Sequence, residues 1–366
     1  MKRHSLVALS FLLPACAAQE PRPPAMERVQ LTGDGKGFQL SPSGRPFTPW
    51  GFNYDNNGKT LILEVKTDPD WAAVREDFRE MKDLGANVVR LHLQFARFMK
   101  GPEEPDERGL TDLDRLLTLA EREGLHLDLT GLGSYRKPDV LRWYDEAPEK
   151  DRWAMQARFW EAVSARAARS PAVFCYNLMN EPVSPGGKDK EWLAQPLGDY
   201  HFTERISKDR ANRSRLEISR GWMRTLTAAI RRHDPRRLVT VGTFFIFDTP
   251  TSLTLGEDVR EIAREVDFFS IHMYPKEGKV PEALGLLKSV QVGKPVVIEE
   301  TFPLGCSPAS HRKFLEGSRE HASGWIGFYW GKTIEECRRS NEIRDALVRE
   351  WLEFFLKEGA RFKGAR

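Results

Sequence analysis

Four cysteines in 366 residues are too few for a disulfide scaffold. Histidine is equally sparse. None of the eight stands in a His-x-His or His-Glu-x-x-His grouping, so no catalytic metal and no cofactor are expected. Gly-x-Ser-x-Gly is absent, which speaks against a serine esterase. Charge of one sign is missing too. The formal net charge is +3, and the short basic clusters Arg231-Arg232 and Arg236-Arg237 beside Asp234 read as a solvated helix end, not as a face for nucleic acid. No run is long and apolar enough to span a bilayer, and no internal repeat or low-complexity tract stands out. What remains, with 40% hydrophobic and 30% charged residues, is a globular chain with a sizeable core.

The start of the chain differs from the rest. Met1-Lys2-Arg3-His4 is cationic, Leu6 to Leu13 is a short apolar stretch, and Ala15-Cys16-Ala17-Ala18 is small. Residues 1–18 therefore read as an export signal. Cleavage near Ala18 and lipidation at Cys16, within Leu13-Pro14-Ala15-Cys16, both fit, and either leaves the protein secreted, periplasmic or lipid-anchored at a bacterial cell surface. Residues 19–28, rich in proline, read as a flexible tether, and 29–366 as one domain, expected to be a monomer. Cys175 lies inside an apolar run and reads as a small core residue. Cys306 and Cys337 follow the last two candidate strands, where an oxidising compartment would allow them to pair.

Within the domain, Val29 to Thr48 carries turn signals between short apolar pieces and reads as a β-hairpin. Apolar strand-like runs then recur at 47–52, 87–92, 125–130, 172–178, 238–243, 267–272, 295–299 and 324–330. Helical spacing lies between them: Trp71, Val74, Phe78, Met81 and Leu84; Leu113, Leu116, Leu117 and Ala120; Trp153, Phe159, Trp160 and Val163; Trp222, Leu226, Ala229 and Ile230; Ile343, Leu347, Trp351, Leu352 and Phe355. Strict alternation of this kind predicts an α/β fold, a (β/α)8 TIM barrel preceded by the hairpin. The long connection from Val183 to Arg213, with Trp192, Tyr200, His201 and Phe202, is expected to shape a substrate site.

In such a barrel the carboxyl ends of the strands carry the chemistry. The fourth run ends in Asn180-Glu181-Pro182 and the seventh in Glu299-Glu300. Two carboxylates facing one mouth suit glycoside hydrolysis, in which one protonates the leaving oxygen and the other attacks the sugar or activates water. Asn53 and Tyr54 end the first run. Arg90 sits among valines in the second and needs an anion beside it, because an unpaired buried guanidinium is costly. His272 and Tyr274 alternate onto one face after the sixth, placing a phenol and an imidazole within reach of the acids. Trp330 ends the eighth, where an indole stacks well on a pyranose ring.

Together, Gly51-Phe52-Asn53-Tyr54, Asn87-Val88-Val89-Arg90, Asn177-Leu178-Met179-Asn180-Glu181-Pro182, His272-Met273-Tyr274, Lys294-Pro295-Val296-Val297-Ile298-Glu299-Glu300 and Trp330 resemble glycoside hydrolase family 5, or a close relative in its clan A, over roughly residues 38–356. The resemblance implies a retaining β-glycosidase of the cellulase or β-mannanase kind. It implies Glu181 as acid/base, Asn180 on the sugar 2-hydroxyl, and Glu300, five residues after Pro295, as nucleophile. Asn53, Arg90, His272, Tyr274 and Trp330 are the expected substrate-binding residues, and a β-linked polysaccharide or oligosaccharide of mannan or glucan type the expected partner. Two departures stand out. The third run ends in Asp128-Leu129-Thr130-Gly131-Leu132-Gly133 where many members have His-His, and Thr301-Phe302-Pro303-Leu304-Gly305 follows the nucleophile where aromatic-Gly is usual. A transglycosylase and a non-catalytic sugar-binding barrel remain as alternatives on the same site.

Overall fold

The computed structural model describes residues 25–54, 67–246, 249–256, 258–329 and 331–364. The leader, most of the tether and Trp330 lie outside the described residues. Eight parallel barrel strands run β1 (Trp50–Asn53), β2 (Val88–Gln94), β3 (His126–Gly133), β4 (Val173–Asn177), β5, β6 (Phe269–His272), β7 (Val296–Glu300) and β8 (Gly324–Phe328). β5 is split into Leu238–Thr240, which pairs with β4, and Gly242–Thr243, which pairs with β6. β8 pairs with β1 in the register Trp325↔Trp50 to Phe328↔Asn53, so the sheet closes on itself.

The outer helices are α1 (Trp71–Asp83), α2 (Glu107–Glu123), α3 (Glu149–Ala167), α4 (Arg215–Arg231), α5 (Val259–Ala263), α6 (Val280–Ser289), α7 (Pro308–Ser318) and α8 (Ile343–Lys363). Local chemistry sets their ends. Asp70 caps α1 by accepting from Ala72 and Ala73 N–H, and Ser214 and Glu217 form a capping box on α4. Gly124 ends α2 at φ 66, a left-handed conformation suited to glycine. The buried faces follow the 3.6-residue period: Val74, Phe78 and Met81 on α1; Leu113, Leu116, Leu117 and Ala120 on α2; Trp222, Leu226, Ala229 and Ile230 on α4. Ile343 departs from the expected pattern. It occupies the first position of α8 and is 83% exposed, whereas Val348, Trp351, Leu352 and Phe355 make the packed face. A Cβ on Gly327 would lie 1.9 Å from the Trp351 ring, so glycine there sets how closely α8 approaches β8.

The N-terminal hairpin is a three-stranded antiparallel sheet, Arg28–Leu31, Phe38–Ser41 and Pro46–Phe47. It closes the bottom of the barrel. Phe38 meets Phe174 and Phe268 edge-on, with ring centroids 5.3 and 5.2 Å apart, in a cluster with Val29, Phe47, Val88 and Val297. Burying a phenylalanine in this way contributes about 1.5–3 kcal/mol.

Two further expectations need correction. Arg237 is not a solvated helix-end charge. It is buried, with its guanidinium donating to the Val173 and Ser170 carbonyls and to Asp234. Cys306 and Cys337 carry free thiols and do not pair; Cys337 packs instead into the main hydrophobic cluster. Cys175 is buried and free, as a core residue is. Among the described residues no helix is long and apolar enough to cross a membrane.

The long connection after β4 folds into a small sheet of Pro182–Val183, Leu193–Leu197 and Tyr200–Arg205. It is held from below by a buried ion pair, Arg152 to Glu204 at 2.5 Å. The Arg152 guanidinium also lies 3.5 Å from the Tyr144 ring centroid and 4.5 Å from that of Trp192. Trp192 is thus spent on anchoring the connection. Phe202 and His201 tie the connection to its neighbours through their backbones: the Phe202 carbonyl accepts from Asn180, and His201 N–H donates to the Tyr135 carbonyl.

Candidate active site

The barrel brings Asn53, Arg90, Asn180, Glu181, His272, Tyr274, Glu299 and Glu300 to one place, whereas Tyr54 turns away to bond Asp77 and pack on Phe78. Arg90, fully buried on β2, is the hub. Its Nη1 donates to Glu300 Oε1 at 2.6 Å and to Asn53 Oδ1 at 2.8 Å, and its Nη2 donates to Asn180 Oδ1 at 2.8 Å. Its Nε lies 3.5 Å from Glu299 Oε2. Burial opposes the charge on Arg90, but Glu299, Glu300 and Asp128 outweigh it and hold the guanidinium cationic. Asn53 is turned inward. Its Nδ2 donates to the Glu299 and Gly327 carbonyls, locking the ends of β7 and β8 to β1. Asn180 likewise links Arg90 to the Phe202 carbonyl.

Glu300 is the acid with access to the mouth. Its Oε1 takes the Arg90 bond and its Oε2 accepts from the Tyr274 hydroxyl at 2.7 Å. Burial and the Glu300 charge push the Tyr274 phenol well above its usual range, so it stays a donor. Glu181 stands opposite, with Oε1 2.8 Å from His272 Nδ1. It adopts φ 41, a left-handed conformation that costs a non-glycine residue of order 1–3 kcal/mol and is typical of functional turns. Burial raises its pKa, and Glu300 adds to this against the pull of His272.

Glu299 points away from the mouth and is fully buried. Its Oε2 accepts from Asn177 Nδ2 at 2.8 Å and lies 3.4 Å from His272 Nε2. A register shift between β6 and β7 at Ile271/His272 aligns His272 with Glu300. Consecutive strand residues ordinarily face opposite ways; here both acids reach Arg90. Burial works against the charge on Glu299, but Arg90, His272 and Asp128 outweigh it and hold its pKa at about 2. Burial and the Glu299 charge push Asp128 on β3 well above its usual range, so Asp128 holds the proton of that pair.

Asp128, Asn177 and the structural part taken by Glu299 were not singled out from the sequence. The signal for Asp128 was present: it is a carboxylate alternating with leucines in an apolar strand, the argument that found Arg90.

Donor atoms of Glu181, His272 and Glu300 all lie within 4.8 Å of one another, the spacing of a possible cation site. Their arrangement is better described by shared protons. The 2.8 Å from His272 Nδ1 to Glu181 is a hydrogen-bond length, and Arg90 and Tyr274 already occupy both Glu300 oxygens.

A parallel (β/α)8 barrel with two glutamates facing each other across its carboxyl-end mouth, one bound to arginine and tyrosine and one half-buried against histidine, has the layout of a two-carboxylate glycosidase. The model of the cellulases, glycosyl hydrolase family 5, matches residues 54–331, and the chain belongs to that family. A mannan endo-1,4-β-mannosidase A of Podospora anserina is 24% identical over 269 residues, 64% of this chain and 63% of that protein. Among solved structures, an exo-β-1,4-mannosidase from Opitutaceae bacterium strain TAV5 superposes with TM-score 0.68 at 17% identity, covering 91% of this chain and 62% of the other. A β-glucanase from Saccharophagus degradans does so with TM-score 0.60 at 18% identity, covering 93% and 94%. This chain thus spans less than two thirds of the two mannoside-cleaving proteins.

Proposed function

We propose that this protein is a retaining β-glycosidase acting on β-1,4-linked glycans of mannan or glucan type. The observation that carries the reading is the pairing of Glu181 and Glu300, with oxygens within 4.8 Å and unlike surroundings. Retaining enzymes hold their carboxyl groups about 5–5.5 Å apart, while inverting ones leave about 6.5–9.5 Å for a water. Glu300, paired with Arg90, attacks the anomeric carbon as the glycosidic C–O bond breaks. Glu181 gives its proton to the leaving oxygen. Water then attacks the glycosyl ester, Glu181 takes a proton from it, and Glu300 leaves as carboxylate. Tyr274 and Arg90 stabilise the charge on Glu300 at either end of this cycle.

The names of the mannoside-cleaving relatives make β-mannan the first substrate to test. The connection after β4 limits how a glycan lies. Between Gly131–Tyr135, Met179–Asn180 and His201–Glu204 the free space is about 10 Å³, room for one water and not for a sugar ring. The glycan therefore enters from other sides of the mouth. The export signal read in residues 1–18 would put the reaction outside the cytoplasm, on polymeric or partly degraded glycan.

The test is sugar release from β-mannan, β-glucan and aryl β-glycosides by the wild type and Glu300→Gln, with the anomer of the first product read by NMR. Release with retained configuration, abolished in the variant, is expected. An inverted first product, or release undiminished in Glu300→Gln, would overturn the mechanism.

A further inference from the structure

The two-step reading leaves one residue without a part. Glu299 touches no path for substrate, yet it is a fully buried carboxylate beneath the site. We propose, resting on the retaining mechanism above, that Glu299 is a positioning residue that keeps His272 oriented on Glu181 when Glu300 has become an ester.

His272 sits between three carboxylates. Its Nδ1 is 2.8 Å from Glu181 and 3.4 Å from Glu300, and its Nε2 is 3.4 Å from Glu299. Gly242 of β5 backs the ring. A Cβ there would lie 2.9 Å from Nε2 and 3.4 Å from Glu299 Oε2, so the absent side chain is what admits the imidazole to this position. The other charged or titratable groups around it are Arg90 and His92 on β2 and Tyr274 beyond β6. Burial opposes a charge on His272, but Glu300, Glu181 and Glu299 outweigh it and set its pKa at about 9. Burial, Arg90 and His272 itself keep His92 neutral, so it adds no counter-charge.

In the first half-reaction all three acids face the ring. Once Glu300 bonds the anomeric carbon its negative charge is gone. Glu299 is out of the sugar's reach and bound by Asn177 and Arg90, so its charge persists. It alone then anchors the Nε2 side and keeps the Nδ1 N–H directed at Glu181. Glu181 is thereby held as a carboxylate, the form that takes the proton from water. The consequence is specific: loss of the Glu299 charge should slow release of the glycosyl ester more than its formation.

The experiment uses an activated aryl β-glycoside, whose phenolate leaves with little need of an acid. Pre-steady-state release of phenol is compared with steady-state turnover in the wild type and Glu299→Gln. The variant should keep its burst while turnover falls about tenfold or more. Added azide, a nucleophile that needs no base, should restore turnover as glycosyl azide. The alkaline limb of the turnover profile should move down by about one pH unit. Burst and turnover falling together, no rescue by azide, or an unmoved limb would overturn the proposal. Should Glu299→Gln not fold, Gly242→Ala displaces the ring while sparing the carboxylate and must give the same split. The outcomes separate the two readings: a wild type that releases no sugar defeats the glycosidase itself, whereas an active wild type with unaltered variants defeats only the part given to Glu299.

Discussion

The same eight strands build two opposite interiors. At the amino-terminal end they offer Val88, Phe174, Phe268, Val297 and Ile326, sealed by Phe38 and Phe47 of the small sheet. At the carboxyl end they offer Arg90, Asp128, Asn177, His272, Glu299 and Glu300, all buried. β4 shows the change within one element, from Phe174 packed on rings to Asn177 holding a carboxylate. The base is where apolar burial stabilises the fold. The mouth is where charges are taken out of water, which at best roughly breaks even, and where Glu181 is strained. Stability and chemistry are thus assigned to different ends of the barrel, and each end can be altered alone.

The largest effect expected of that separation is at the mouth. Glu300→Gln should lower turnover by roughly a thousandfold or more, while its thermal midpoint stays within a few degrees of the wild type. A variant that melted early and lost activity only in proportion would show that the two ends are not separable. Next in size is Arg90→Met. Removing the hub leaves Glu299 and Glu300 without their guanidinium in a buried site, a loss of about 3–5 kcal/mol by the precedent of broken buried pairs. Denaturant unfolding of Arg90→Met and of Arg90→Met/Glu299→Gln should show the second change recovering part of the loss. No recovery would mean that the penalty comes from packing instead of charge.

At the base the counterpart is Phe38→Ala, expected to cost about 3–5 kcal/mol and to leave kcat and KM of the remaining folded protein unchanged. Altered kcat at full folding would show that the base reaches the chemistry.

The two ends also differed in how readable they were. Alternation of β and α periods, the apolar runs and the strand-end Asn180-Glu181 and Glu299-Glu300 are local patterns, and the barrel follows from them. Arg90 was legible because a guanidinium among valines must have a partner. Which of two adjacent glutamates faces the mouth was not legible from periodicity, because the β6–β7 register shift lets both turn inward; the choice of Glu300 came from spacing to Pro295. The fate of Trp192 and of Arg237 was hidden for a different reason. Their partners, Arg152 and the Val173 and Ser170 carbonyls, lie tens of residues away, and no period reports such a contact.

The smallest prediction sets two histidines against each other. His272 at the mouth is surrounded by acids and has its pKa raised to about 9 from an ordinary 6.5. His126, at the start of β3 with its ring 5.0 Å from Phe47, is lowered by burial, and then by Arg237 and Lys82, to about 4. The signs follow from linkage. A raised histidine binds its proton more tightly when folded, so the His272 contribution is complete below about 6.5 and is lost as pH rises through about 9. A lowered one is protonated more readily when unfolded, so the His126 contribution is complete above about 6.5 and is lost as pH falls through about 4. Unfolding free energy measured across this range should therefore fall away on both sides of pH 6.5, the alkaline limb belonging to the mouth and the acid limb in part to the base. His272→Gln should flatten chiefly the alkaline limb, reaching the acid one only through Glu299, and His126→Gln should flatten only the acid one. If His126→Gln flattened the alkaline limb as well, the charge environments of the two ends would be coupled through the barrel, and the division of labour between them would have to be abandoned.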